Sequence, residues 1–208
     1  MMVEAQIRTN DVTDPRIHAA LLATPRESFV PDAKKAVAYM DGCIGLGRGR
    51  VLSDPRSFAK LVQLAQIKAT DRILDVGCAS GYSTAVLAQL GAEVFGLEQD
   101  RELAAIARDT LRSLGCKNTT VVEGALFDGA ATCAPFDVIF CNGALATAPK
   151  MLVSQLADGG RLAAIIAGGV TGTACLYVRH QGVVSERTAF NAQLPVLPGF
   201  EKRGEFAL

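Results

Sequence analysis

The sequence predicts an α/β protein: a doubly wound, mostly parallel seven-stranded sheet with helices on both faces and a small helical cap at the N-terminus. Three observations carry this. From Arg72 onward, apolar runs of strand length alternate with segments of helical spacing, the order that builds a parallel sheet covered on both sides. The helical segments stop at or just before glycines, Gly91, Gly115 and Gly159, where a helix ends in left-handed backbone. The stretch RILDVGCASGYS, residues 72–83, runs an apolar segment containing Asp75 into a glycine-rich turn and then a helical pattern, which describes a buried strand turning into a helix.

Composition bounds the rest. With 208 residues, 50% hydrophobic and 20% charged, the chain can build one sizeable core but not two. One domain is therefore expected, with residues 1–55 as an accessory region and residues 56–208 as the core. Lys+Arg 21 balances Asp+Glu 21, so no global field draws the protein to nucleic acid or an anionic membrane. The six cysteines, Cys43, Cys78, Cys116, Cys133, Cys141 and Cys175, form no C-x-x-C pair, and with two histidines they suggest no metal site; they read as small buried hydrophobes in a reducing compartment. MMVEAQIRTND lacks an apolar segment of signal-peptide length, and the most apolar later stretch, Leu162 to Val178, is broken by glycines and threonines. A soluble, cytoplasmic protein is the expectation.

Taken in order, Asp14 and Pro15 cap and open a short helix with Ile17, Ala20 and Leu21 as its apolar stripe. Pro25 and Pro31 bracket RESFV, and Ala33 to Tyr39 allows another helical turn or two. Gly42 to Arg50 holds four glycines and two arginines and reads as a mobile or tightly turned loop without regular structure. Asp54 then caps and Pro55 opens a helix with Phe58, Leu61, Val62 and Ala65 on one face, which holds Ser53 at a loop-to-helix junction. Strands are expected at Arg72 to Val76, Glu93 to Glu98, Thr119 to Glu123, Phe136 to Cys141 and Arg161 to Ile166. Helices fall at Tyr82 to Leu90, Arg101 to Leu114 behind Asp100, and Pro149 to Leu156 before a Gly159-Gly160 turn. Thr173 to Arg179 and Val183 to Phe190 look like two further strands joined at Gln181-Gly182.

The turn after the first core strand is suited to a small ligand, because a fresh helix N-terminus favours negative groups and glycine admits close approach. The dinucleotide pattern G-x-G-x-x-G does not fit, since the small residues are Gly77, Ala79 and Gly81 and Tyr82 stands where the third glycine belongs. A P-loop is excluded by the missing Gly-Lys-Ser/Thr. The apolar run with Asp75, Gly77 and Gly81 resembles the first motif of class I S-adenosylmethionine (SAM) dependent methyltransferases, a Rossmann-like family; most members have glycine at Ala79. The bland alternative is a tight connection in any α/β domain.

Ligands of open α/β sheets sit beyond the strands' carboxyl ends, so the residues there are the candidates. Glu98, followed by Gln99, can accept hydrogen bonds from both ribose hydroxyls of a nucleoside, or be a solvated strand-end carboxylate. Ala125 and Leu126 follow the next strand, where an adenine ring could lie. Many SAM enzymes have an acid at the Ala125 position, and losing that acceptor costs about 0.5 to 1.5 kcal/mol. Asn142 and its small neighbours after the fourth strand leave room for the reacting end of a cofactor, or form an ordinary β-to-α turn.

A narrower resemblance lies outside the glycine turn. Thr13-Asp14-Pro15-Arg16, Pro25-Arg26-Glu27 with Phe29-Val30-Pro31, Ala38-Tyr39 with Asp41, and Gly47-x-Gly49-x-x-Leu52-Ser53-x-Pro55 look like the N-terminal region of protein-L-isoaspartate O-methyltransferases. Leu74-Asp75-Val76-Gly77 with Gly81-Tyr82, Asn118-x-Thr120-Val121, Ala134-Pro135-Phe136-Asp137 and Leu156-x-x-Gly159-Gly160-Arg161-Leu162 continue it in register, with a looser echo at Leu197-Pro198. The resemblance implies SAM-dependent methylation of the carboxylate of L-isoaspartyl residues in damaged proteins, with S-adenosyl-L-homocysteine as product. It implies that Ser53 touches the reacting centre and that the loop ending in Arg50, Val51, Leu52 and Ser53 closes over the peptide. Where family members usually read Gly-Gln-Thr-Ile-Ser-Gln-Pro, this chain has Gly49-Arg50-Val51-Leu52-Ser53-Asp54-Pro55, so Arg50, or Arg48, could clamp a substrate carboxylate in place of the missing amide. These departures leave two alternatives open: another carboxylate substrate, or an impaired paralogue acting as a binding module.

Overall fold

The computed structural model describes residues 2–201; Met1 and residues 202–208, the end of the expected core segment, lie outside the described residues. The regular elements are helix α1 (Pro15–Ala23), strands β1 (Ile44–Gly47) and β2 (Arg50–Leu52), α2 (Pro55–Leu64), β3 (Arg72–Val76), α3 (Tyr82–Ala88), β4 (Glu93–Glu98), α4 (Arg101–Ser113), β5 (Thr119–Glu123), β6 (Phe136–Leu145), α5 (Lys150–Ser154), β7 (Leu156–Ile166), β8 (Gly172–His180) and β9 (Val183–Ala192). Strands β3 to β9 form one seven-stranded sheet in the order β5-β4-β3-β6-β7-β8-β9. Pairing is parallel from β5 through β7 and antiparallel for β8 and β9. The chain winds outward from β3 through β4 to β5 and then returns to the other side of β3 as β6. The switch point of this doubly wound, Rossmann-like sheet is therefore between β3 and β6.

Side chains alternate between the two faces as strand geometry requires. Ile73, Ala163, Ile165, Ala174 and Leu176 enter one apolar cluster, which also holds Ile7, Ile17 and Leu21 of the N-terminal cap and Phe58, Leu61 and Val86 of α2 and α3. Leu74, Val76, Leu162, Ala164, Cys175 and Tyr177 enter the other, with Leu126, Leu152, Val153 and Phe200. Both faces are thus covered, and the cap shares its core with the sheet.

Local chemistry sets the helix starts. Asp14 accepts the Arg16 N–H at 2.9 Å, Asp54 accepts the Ser57 N–H at 2.8 Å, and Pro15 and Pro55 occupy the first helical positions. Asp100 caps α4 by accepting from Glu102 and Leu103. The turn between β8 and β9 places Gln181 at φ 49° and Gly182 at φ 77°, the paired positive φ of a two-residue hairpin turn.

Four expectations need correction. Gly42 to Arg50 is not irregular: Ile44 pairs with Leu52 and Gly45 with Val51, and Gly47, Arg48 and Gly49, all at positive φ, make the bend. The glycines supply the turn, while buried Ile44 and Leu52 supply the strands. Residues 32–37 form a 3₁₀ segment, so the helical turns expected over Ala33 to Tyr39 are the tighter kind. Strand β6 does not end at Cys141. Its register with β7 jumps from Phe140↔Ala163 to Ala144↔Ile165, so residues 141–143 form a bulge inside a continuing strand. Helix α5 stops at Ser154, and the Gly159-Gly160 turn lies in an irregular start of β7, where Leu156 pairs with Phe136 and Arg161 with Val138.

Candidate active site

The site is built where β3 and β4 end and β6 bulges. After Val76 the chain turns through Gly77 (φ 80°), Ala79 (φ 50°) and Gly81 (φ 96°) into α3. The Gly77 and Cys78 N–H groups donate to Leu97 O at 2.9 and 3.1 Å, which fastens the turn to the end of β4. At Ala79 a residue with a Cβ holds left-handed backbone, which explains why glycine suits that position. Gly81 lies against α4: a Cβ there would come within 3.2 Å of Ala107. Tyr82, in the place of a third glycine, packs its ring against Phe29 and Phe58 at centroid distances of 5.5 and 5.4 Å and so joins the turn to the cap.

Two acids flank the turn, and both are fully buried. Asp75 Oδ2 accepts from the Ser83 and Thr84 hydroxyls, each at 2.6 Å, while its Oδ1 has no partner. Burial pushes this carboxyl up to about 6 against the pull of the two hydroxyls and of nearby Arg50. Asp75 therefore braces the start of α3 from beneath. Glu98 faces the turn: Oε2 accepts the Ala79 N–H at 2.8 Å and Oε1 accepts the N–H groups of Gln99 and Asp100 at 2.9 and 3.2 Å. It is not a solvated strand-end carboxylate. Gln99 contributes its main chain to this arrangement.

The β6 bulge carries Asn142 into the site. Its Nδ2 donates to Gly77 O at 3.2 Å and to Ser83 Oγ at 3.1 Å, and its Oδ1 accepts the Ser53 hydroxyl at 3.1 Å. Ser53, Asn142, Ser83 and Asp75 are thus one hydrogen-bonded line from the cap to the floor of the sheet. Ser53 is also fixed through its carbonyl, which accepts Arg26 Nη2 at 2.9 Å. Arg26 is fully buried, donates to Ala38 O at 2.8 Å and lies 4.9 Å over the Tyr82 ring. Among the described residues this arginine is the largest contribution that pattern reading of the site missed. Its Pro25-Arg26-Glu27 context was visible, but its inward direction depends on contacts with distant Ser53 and Tyr82.

The arginines of the hairpin part company. Arg48 is exposed and bridges Asp100 at 3.0 Å and Glu102 at 2.5 Å, tying the hairpin to the start of α4. Arg50 is 5% exposed and points inward: Nη2 donates to Gly77 O at 2.6 Å and lies 3.5 Å from Glu98 Oε2. Val51 is half-buried and Leu52 buried, so the two frame Ser53 more than they face solvent. Ala125 is exposed beyond β5, whereas Leu126 is fully buried in the second core cluster and presents no free face to an adenine ring. Exposed Phe127 sits there instead, 5.3 Å from Phe200. Burial raises the thiols of Cys78 and Cys141 above the usual range, so neither is a thiolate nucleophile at neutral pH.

The segment after β9 completes the site. Ala144 N–H donates to Pro195 O at 2.9 Å and Leu197 N–H to Ala144 O at 2.8 Å, which lays Leu197 over the turn. A Cβ on Gly77 would meet Arg50 Nη2 at 2.5 Å and Leu197 Cδ2 at 2.9 Å, and one on Gly143 would meet Leu197 Cδ2 at 2.5 Å. The space over Gly77 is therefore large enough for side-chain atoms and has a glycine floor, a buried carboxylate at its edge and the flexible end of an arginine within it. A glycine floor with a buried carboxylate acceptor beside it is suited to the hydroxyls of a nucleoside sugar.

Comparison with known proteins agrees with this geometry. The family model described as Protein-L-isoaspartate(D-aspartate) O-methyltransferase (PCMT) matches residues 1–192. A protein-L-isoaspartate O-methyltransferase of Koribacter versatilis is 38% identical over 188 residues, covering 90% of this chain and 84% of that protein. A Plasmodium falciparum protein assigned as a protein-L-isoaspartate O-methyltransferase, solved in complex with S-adenosyl-L-homocysteine, superposes with a TM-score of 0.82 at 20% identity and covers 97% of each chain. Another solved protein-L-isoaspartate O-methyltransferase gives the same TM-score of 0.82 at 24% identity, this chain spanning 92% of its own length and 63% of that one. With the family match running from the cap through β9 and the identity extending over nine-tenths of the sequence, this protein belongs to the protein-L-isoaspartate(D-aspartate) O-methyltransferase family.

Proposed function

We propose that this protein methylates the carboxylate of L-isoaspartyl residues in damaged proteins, using SAM and releasing S-adenosyl-L-homocysteine. The observation that carries the reading is the line from Ser53 through Asn142 to the Gly77 turn, which ties a cap hydroxyl to the glycine turn edged by Glu98. When bound, SAM supplies a methyl group activated by its sulfonium. The chain's own residues hold and orient. Glu98 offers carboxylate lone pairs to the ribose hydroxyls, the main chain from Gly77 to Gly81 and at Gln99 lines the nucleoside, and the exposed surface at Ala125 borders the base. Ser53, with its carbonyl held by Arg26 and its hydroxyl by Asn142, orients the substrate carboxylate, and the β1–β2 hairpin with Val51 and Leu52 encloses the peptide.

This chemistry asks for positioning and water exclusion more than for proton transfer, because a carboxylate is already anionic. The two histidines match that demand: His18 is bound to Val12 O at 2.8 Å inside the cap, and His180 is on β8 facing Asp158 at 3.9 Å. Residues 1–55 act here as cap and substrate loop for a single methyltransferase unit. No helix among the described residues is long and apolar enough to cross a membrane. The six unpaired cysteines favour a cytoplasmic setting.

Transfer of labelled methyl to an isoaspartyl peptide, compared with its aspartyl twin, tests the reading. Labelling of the isoaspartyl form alone is expected, and no transfer to it sinks the proposal.

A further inference from the structure

The volume over the glycine turn is held by the chain itself. Arg50 reaches in from β2 and Leu197 comes down from the C-terminal segment, so any ligand that used Glu98 and the Gly77 turn together would have to lie where the Arg50 guanidinium now is. Two features bear on how firmly this arginine is held. Its Nε–H is buried with no partner, so its desolvation is not compensated where it stands. Its acidic neighbour Glu98 stands at 3.5 Å and is already held by three main-chain N–H groups, so Glu98 does not depend on the guanidinium for its place. Arg26 also leaves one nitrogen, Nη1, without a partner, but it is held by carbonyls at 2.8 and 2.9 Å and an aromatic face. Arg50 also sits on a short hairpin whose bend, Gly47 to Gly49, is tied to α4 through exposed Arg48.

We infer that Arg50 is an internal occupant of the cofactor cradle, which must swing out for SAM or S-adenosyl-L-homocysteine to bind and which hands Glu98 over to the ribose hydroxyls as it leaves. The inference rests on the cofactor reading given above. Room gives the exchange its direction: Arg50 Nη2 lies 2.5 Å from where a Cβ on Gly77 would stand, so the guanidinium and a nucleoside could not share the space over the turn. Self-occupancy also lowers apparent affinity, because a ligand that binds only the arginine-out state sees its affinity reduced by the fraction of molecules in that state. A neutral, shorter side chain at position 50 therefore improves cofactor binding although it removes a cation from the site. Leu197 fills the other half of the space, and trimming it acts in the same direction with smaller effect.

Calorimetric titration with S-adenosyl-L-homocysteine of the full chain, of Arg50→Gln and of Leu197→Ala tests this. Arg50→Gln is expected to bind at least about tenfold tighter than the unmutated protein, and Leu197→Ala a few-fold tighter. Equal or weaker binding by Arg50→Gln while the unmutated protein binds overturns this inference and leaves the cofactor reading standing. Absence of binding by both proteins overturns both. A measurement on the unmutated protein guards against misfolding of the variant: the Arg50 Nε–H resonance, assigned by its loss in Arg50→Lys, should exchange slowly with solvent in the free protein and rapidly at saturating S-adenosyl-L-homocysteine. Retained protection in the saturated protein overturns the inference.

Discussion

Asp75 and Glu98 end neighbouring parallel strands, are both fully buried and lie on either side of one glycine turn, yet their surroundings prepare them for different work. Asp75 meets two hydroxyls and leaves one oxygen unpartnered; Glu98 meets three N–H groups of the turn and of the chain beyond β4, plus the Arg50 guanidinium at 3.5 Å. The first environment favours the neutral acid and gives a brace. The second holds the Glu98 carboxyl by main-chain donors beside the Gly77 turn. Depth of burial does not distinguish a structural acid from a binding one; the donors around it do.

The largest effect that would break this comparison is at Glu98. Replacing it with Ala is expected to weaken S-adenosyl-L-homocysteine binding by about a thousandfold, since hydrogen bonds to a charged acceptor contribute roughly 1.5–3 kcal/mol each and about 1.4 kcal/mol is a factor of ten. Titration calorimetry reads this directly, and unchanged affinity would remove the ribose role.

The next effect belongs to Asp75 and appears in stability. Its folded-state carboxyl is raised to about 6 from an ordinary value of 3.8, so the folded protein holds that proton more tightly than the unfolded chain. The stabilisation is complete below pH 4 and is lost as the pH rises through about 6, a change of about 2 to 3 kcal/mol across the window. The lowered carboxyls of Asp14, held by Arg16, and Glu27, held by Tyr39, work in the opposite sense, so the comparison must be a difference between proteins. Urea unfolding of the unmutated protein and of Asp75→Asn from pH 4 to 7 should show their difference changing by that amount, with cofactor affinity within about threefold. A constant difference would place Asp75 among ordinary carboxylates.

How far these roles were legible in the sequence follows from the range of the interactions. Asp14-Pro15 and Asp54-Pro55 announced helix starts because capping is settled within three residues. The strands at Arg72–Val76, Glu93–Glu98 and Thr119–Glu123 were legible to the residue because their apolar runs end in glycine or an acid. The bulge at residues 141–143 was not, because Asn142-Gly143 reads locally as a turn and it is the pairing of Ala144 with Ile165 and Val196 and of Leu145 with Ile166 that keeps the strand going. Arg50 and Glu98 were both nominated, but their contact was invisible, since it depends on a hairpin folding back over a turn 27 residues away in sequence. Leu197 arrives from the opposite end of the chain by two main-chain hydrogen bonds with Ala144 that no local pattern announces.

Ser53 sharpens the comparison from the cap side. Its hydroxyl ends the line that begins at Asp75, donating to Asn142, which in turn donates to Gly77 O of the turn that Glu98 holds. Ser53→Ala should lower kcat about tenfold, the value of one good hydrogen bond, with S-adenosyl-L-homocysteine affinity changed by less than about threefold. Equal losses in turnover and affinity would move Ser53 into the cofactor site.

The smallest effect tests whether the Glu98 side of the turn is held by backbone geometry alone. Ala79 donates its N–H to Glu98 at 2.8 Å from left-handed backbone, φ 50°, and its methyl is 2% exposed. Left-handed backbone costs a residue with a Cβ about 1–2 kcal/mol, while glycine loses roughly 0.5–1 kcal/mol more conformational entropy on folding, so Ala79→Gly should stabilise the protein by about 0.5 kcal/mol. That corresponds to about 1–2 °C in Tm for a chain of this size. The N–H to Glu98 survives the change, so cofactor affinity should not move. A less stable Ala79→Gly would mean that the buried methyl group contributes more by packing than the strained backbone costs. In that case the turn would be held by side-chain packing, as Asp75's side is, and the contrast between the two acids would rest on Arg50 and the hydrogen-bond donors alone.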